Sequence, residues 1–266
     1  MDNFYVRGPF MKWKMLLAIV PFITVTAGAE ILTKEVTYTQ DTIIFKGFLA
    51  YDNAIKGKRP GVLVAHEWWG LNDFAKTQAK DLAKMGYVAF AVDMYGGGKH
   101  TVDPAIAAKM AGAVRGTPLM RERITAGLKA LLSQAQVDTQ RVAAIGFCFG
   151  GTAVLELAYS GAAIKGVVTL HGGLFSPKPD ELGNIKAKLL VLHGADDPTM
   201  TPETITQFQE SMRKSGADWQ MMYFGNTVHR FTNPEAGNDK NKGAAYNPLS
   251  AERAFGYMKM FLKEVL

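Results

Sequence analysis

Apolar residues along this chain fall into short continuous runs separated by amphipathic stretches, an alternation that predicts strands and helices in turn. Gly61–Ala65, Tyr87–Val92, Arg141–Ile145, Gly166–Leu170, Lys188–Leu192 and Trp219–Phe224 read as strands. The unbroken apolar runs among them are those of strands buried on both faces of a sheet. Between them, Asp73–Met85, Pro104–Val114, Leu119–Leu132, Gly151–Tyr159, Pro202–Ser215 and Ala251–Val265 have helical periodicity, and Gly86 offers the first a C-terminal cap. Ahead of these units, Glu35–Thr39 and Thr42–Ala50 predict two strands about a Gln40-Asp41 turn. Repeated strand–helix units imply an α/β fold, a mostly parallel sheet with helices on both faces. No linker divides residues 30–266, so one domain is expected.

The first 29 residues do not share that pattern. Lys12 and Lys14 precede the apolar run Met15–Thr24, and Ala27-Gly28-Ala29 offers a cleavage site before Glu30. A basic segment, a short greasy core and a small-residue exit read as a secretory signal peptide. Met11 begins that pattern more naturally than Met1. The run is short and Thr-punctuated for a membrane span, and the alternatives are an uncleaved anchor or a packed N-terminal helix. The expectation is export, to a periplasm or outside the cell, with no stable membrane span in the mature chain.

Composition adds two constraints. With 48% hydrophobic residues in 266, the chain can bury a sizeable core. Its formal charge of +6, from 30 basic and 24 acidic residues, becomes 27 − 23 = +4 without the first 29 residues. The remaining cations are scattered, which argues against a nucleic-acid partner. Cys148 is the single cysteine, so no intramolecular disulfide can form. A lone thiol in an oxidising compartment needs burial or a task.

Cys148 lies in Gly146-Phe147-Cys148-Phe149-Gly150-Gly151, where a strand meets a helix. This is the nucleophile-elbow pattern with cysteine in place of serine. A sharp turn there needs glycine neighbours, and it aims helix N-terminal N–H groups at the nucleophile. The acid of a triad belongs on the loop after a later strand, where Asp196 and Asp197 follow Gly194; Asp197 is favoured and Asp196 is the fallback. The base belongs after the last strand, and His229 is there, giving the order nucleophile, acid, histidine. His66, His171 and His193 come too early for that order, although His66 and His171 are candidates for the pocket. No element carries a closely spaced ligand pair, so neither a metal nor another cofactor is expected. The loop after Val62–Ala65 should supply the second oxyanion N–H through Trp68, partnering that of Phe149. Glu67 beside it either holds the thiol proton or is a buried acid paired with a base.

Together, His66–Leu71, Asp93–Gly96, Gly146–Gly151, His171–Leu174, Gly194–Pro198 and His229–Pro234 resemble the dienelactone hydrolase family, over nearly the whole chain from Glu35. The resemblance implies a Cys148–His229–Asp197 triad attacking a small ester or lactone, with oxyanion donors at the Trp68 and Phe149 N–H groups. It also implies that Glu67 binds the resting thiol until substrate releases it to the histidine. The best-studied members grip a substrate carboxylate with two arginines. Here one of those positions reads Asn233, and Ala105–Val114 contains only Lys109 as a base. Trp69, Tyr95 and Arg230 complete the expected pocket, and neutral substrates are expected to outperform carboxylated ones. Acyl transfer by the same triad, or ligand binding without catalysis, are the alternatives.

Overall fold

A computed structural model describes residues 1–2 and 30–266; all but the first two residues of the predicted leader, residues 1–29, lie outside that description. The described chain forms one eight-stranded sheet: β1 (Ile31–Gln40), β2 (Ile43–Asp52), β3 (Arg59–Ala65), β4 (Val88–Val92), β5 (Val137–Phe147), β6 (Gly166–Leu170), β7 (Lys188–Gly194) and β8 (Trp219–Phe224). Their order is β1-β2-β4-β3-β5-β6-β7-β8. The β1–β2 hairpin is antiparallel and β2 runs antiparallel to β4; every other pairing is parallel.

Six α-helices cover the sheet: α1 (Asp73–Lys84), α2 (Pro104–Gly112), α3 (Pro118–Leu132), α4 (Phe149–Tyr159), α5 (Pro202–Ser215) and α6 (Pro248–Val265). Alternate residues of each strand serve opposite faces. Leu63 and Ala65 pack with Met120 and Ile124 of α3, Val154 of α4 and Phe208 of α5. Val62 and Val64 pack with Phe74 and Leu82 of α1 and Met258 and Phe261 of α6. This two-sided burial is why the parallel strands read as continuous apolar runs.

Element boundaries differ from expectation where local chemistry is ambiguous. Helices α3 and α6 begin at Pro118 and Pro248, one and three residues before the predicted starts, because proline at the first helical position loses no hydrogen bond. Helix α4 begins two residues early, at Phe149, since Gly150 and Gly151 sit in a first turn whose N–H groups lack intrahelical acceptors anyway.

The strand order positions the site. From β3 the chain steps one way to β4, then crosses back to place β5 on the other flank of β3. A crevice opens beyond the carboxyl ends of two such strands. Ala65 and Gly146 are paired there, so the loops after β3 and β5 leave the sheet side by side.

Candidate active site

Cys148 is the hinge between β5 and α4, with φ 52° and ψ −113°. A non-glycine residue in that region costs on the order of 1–3 kcal/mol, so its surroundings must impose it. The glycines show how. A Cβ on Gly146 would stand 2.1 Å from the Gly150 carbonyl oxygen, and one on Gly150 would stand 2.2 Å from that of Ala65. Only glycine lets β3, β5 and α4 converge this closely. The Cys148 N–H donates to Leu170 O at 3.0 Å, fixing the turn to β6.

His229 arrives on the loop after β8. Its Nε2 lies 3.1 Å from Cys148 Sγ, and its Nδ1 lies 2.7 Å from Asp197 Oδ2. The other Asp197 oxygen accepts from the Thr199 N–H at 2.9 Å and hydroxyl at 2.6 Å. Asp196 is exposed, while Asp197 is buried. Burial opposes the charge on Asp197, but the His229 and Thr199 hydrogen bonds outweigh it and hold its pKa down to about 2. Burial likewise opposes a proton on His229, yet Cys148 and Asp197 push its pKa up to about 10.

The Trp68 and Phe149 N–H groups have no hydrogen-bond partner among the described residues. Both are available to a developing oxyanion. Glu67 is placed otherwise than on the thiol. The Arg230 Nε–H reaches its two oxygens at 3.0 and 2.9 Å, and the Asn233 amide donates at 2.7 Å. Burial raises the Glu67 pKa while Arg230 and Asn233 oppose it. A guanidinium and an amide satisfy a buried carboxylate better than a single thiol donor. The arrangement is therefore the buried acid paired with a base, and the thiol faces His229 instead.

The comparisons with known proteins agree on the family. The family model for the dienelactone hydrolase family matches residues 45–266. The chain belongs to the dienelactone hydrolase family. It is 40% identical to a crystallised dienelactone hydrolase-like promiscuous phosphotriesterase from metagenomic libraries, covering 90% of this chain and 99% of that one with a TM-score of 0.86. A "Putative carboxymethylenebutenolidase" of Saccharolobus solfataricus is 24% identical over 88% of this chain and 99% of its own length. A "Probable 2-oxo-3-(5-oxofuran-2-ylidene)propanoate lactonase" of a Bradyrhizobium species is 26% identical over 79% of this chain and 85% of its own. The protein is thus a hydrolase of lactones or esters.

Three residues expected in this hydrolase's pocket are instead parts of its frame. His66 is buried; its Nε2 accepts the Met94 N–H at 3.2 Å, so its Nδ1–H faces the Glu67 carbonyl at 2.5 Å. Tyr95 is buried, and its hydroxyl donates to the Trp68 carbonyl at 2.9 Å. His171 is buried at φ 41°, with Nε2 2.7 Å from Thr232 Oγ1 and its ring 5.4 Å from that of His229. Burial lowers the pKa of both histidines, so neither carries charge near neutrality. Each sits at a strand end, as a pocket residue would, but its side chain turns inward.

The cavity at Cys148 has a volume of about 650 Å³ and is lined by Trp68, Trp69, His229 and Arg230, as expected. It also contains Arg115, which the sequence reading missed. That residue follows the end of α2 by three positions, just past Ala105–Val114, where Lys109 was the expected base. Its guanidinium lies 5.8 Å from the Phe149 ring centroid. Arg230, by contrast, is committed to Glu67. The cavity therefore contains a cation, Arg115, beyond the apolar and aromatic walls that the sequence led one to expect. Helical periodicity carries no signal for it, because it lies in the α2–α3 connection.

Proposed function

We propose that this protein hydrolyses carboxylic esters or lactones through a Cys148–His229–Asp197 triad and an acyl-enzyme. One observation carries the reading: Sγ, imidazole and carboxylate stand in sequence at 3.1 and 2.7 Å, with Cys148 and His229 on the wall of the cavity and Asp197 buried behind them. Cys148 Sγ attacks the carbonyl carbon as a thiolate, its proton held on His229 Nε2. The Trp68 and Phe149 N–H groups hold the oxyanion. Collapse of that intermediate expels the alkoxide, which takes the proton from His229, and leaves an acyl thioester on Cys148. His229 then withdraws a proton from water, whose oxygen attacks the thioester; the thiolate leaves, paired with the His229 imidazolium, and the acid is freed. In a lactone the alcohol and acid remain one molecule. Asp197 keeps the Nδ1–H tautomer and stabilises the imidazolium throughout.

The test is intact-mass detection of acyl-Cys148 with a slowly hydrolysed ester, beside the Cys148→Ala variant. Cys148→Ala should keep the fold and lose activity to below about a hundredth of wild type. Turnover above that level, or an acyl group on another residue, would refute the assignment. Export with a mature N-terminus at Glu30 is proposed alongside it, on the strength of the Lys12–Ala29 pattern.

A further inference from the structure

A second and larger cavity, of about 870 Å³, lies beside the catalytic one. The reaction described above makes no use of it. Gly116, Glu156 and Phe175 line both cavities. We propose that the two are one substrate cleft, and that the second compartment takes the extended, uncharged arm of an ester whose carbonyl lies at Cys148. This rests on the reading of Cys148 as the place where the ester is cut.

The placement of the shared residues sets the arm's length. Glu156 stands eight positions beyond Cys148 along α4, about 12 Å at 1.5 Å per residue. An extended chain advances about 1.2 Å per bond, so the arm needs roughly ten bonds to enter the second compartment. Shorter arms end inside the first.

The lining sets the arm's chemistry. Tyr38, Pro118, Ala126, Ala130 and Phe175 give the compartment an apolar surface. Its charges cancel: Arg121, Lys129 and Lys178 against Glu122, Glu156 and Glu181. Arg121 is moreover engaged, 2.6 Å from both Glu156 and Glu181. No unpaired buried charge awaits an ionic group, and burying one here without a partner would be unfavourable. An alkyl or aryl arm meets the apolar surface at no such cost, and each methylene placed there adds to affinity.

The experiment measures kcat/KM for p-nitrophenyl alkanoates and for n-alkyl acetates of increasing length, so that either the acyl or the alcohol arm can respond. Wild type is compared with Ala126→Trp and Thr125→Phe, since both residues line only the second compartment. In one series, wild-type kcat/KM should rise by about tenfold once the arm exceeds roughly ten bonds, as two or three buried methylenes give. At least one variant should abolish that rise through KM and leave the short members unchanged. A flat or falling wild-type profile in both series overturns the proposal, as do variants that treat short and long arms alike. A separate arm measures binding of 1-decanol and 1-butanol to Cys148→Ala by calorimetry. Tighter binding of the longer alcohol supports the cleft whichever residue is the nucleophile, and equal affinities sink it.

Discussion

Arg230→Ala should destabilise the protein by about 3–5 kcal/mol near neutral pH, the usual cost of leaving one member of a buried pair behind. The structure supports the upper part of that range on one count and the lower on another. The Glu67 side chain is 1% exposed and the Arg230 side chain 13%, so solvent screens the pair little. Removing Arg230 takes away two of the three hydrogen bonds to the carboxylate, leaving only that from Asn233. The loss is capped because the carboxyl can take up a proton instead of remaining a bare buried charge. That cap gives the prediction its pH dependence. Burial already holds the Glu67 pKa above its unfolded value of 4.5, and Arg230 opposes that push. Without the arginine the folded pKa rises further. A group raised on folding contributes its full stability below the unfolded pKa and loses it as pH rises through the folded one. The penalty of Arg230→Ala should therefore be small near pH 4.5 and grow towards pH 8. Urea unfolding at pH 5 and pH 8 measures it, and a fall in Tm of about 6–20 °C should accompany it at the higher pH. Adding Glu67→Gln should recover at least about 2 kcal/mol, since the amide leaves no charge to strand. A single-variant cost under about 1 kcal/mol at pH 8, or a penalty that grows on acidification, would refute the pairing.

Asp197→Asn should lower kcat by several orders of magnitude and Asp196→Asn should be mild, because only Asp197 reaches His229; steady-state kinetics with equal losses would refute this. The Asp197 pKa is depressed to about 2 from 3.8, so its stabilisation holds above pH 3.8 and is lost as pH falls through 2; Asp197→Asn should flatten that acid limb in urea titrations. Arg115→Ala should cut kcat/KM for a carboxylated lactone by about tenfold relative to its neutral analogue, the worth of one charged contact, and an unchanged ratio would remove Arg115 from substrate binding. N-terminal sequencing of the exported protein should begin at Glu30, whereas recovery of the intact chain with the membrane fraction would favour an anchor.

The sheet was legible because parallel strands carry their burial on both faces, and unbroken runs such as Gly61–Ala65 announce it. What the runs could not fix was where a helix starts against a proline or a glycine pair, since both residues break helices in general and open them in particular. The order of Cys148, Asp197 and His229 was readable for a different reason: the elbow's glycines are a steric demand, visible as Gly146 and Gly150. Side-chain direction was not readable. Glu67, His66 and Tyr95 all follow strand ends, but which of them meets substrate depends on partners 27 to 166 residues away. Arg115 escaped notice because it belongs to no periodic element. It reaches the cavity from the α2–α3 connection, over the ring of Phe149 at the start of α4.

The motif Asp93-Met94-Tyr95-Gly96 shows how a residue can matter to the site without lining it. Asp93 is fully buried and accepts the N–H groups of Lys46, Tyr95, Gly96 and Gly98 at 2.7–3.0 Å. Four backbone donors on one carboxylate fix the loop after β4 as a rigid block. Two hydrogen bonds carry that rigidity to the loop after β3: Met94 N–H to His66, and Tyr95 O–H to the Trp68 carbonyl. Glu67 lies between those two points and is tied in turn to Arg230, the neighbour of His229. The loop offering the Trp68 N–H and the loop offering the histidine are thus held to one another through buried ionic and hydrogen-bonded contacts. An oxyanion hole is effective only if its donors are in place before the charge develops. Arg230, whose φ is 61°, is held in that strained backbone by the same network through its bonds to Glu67.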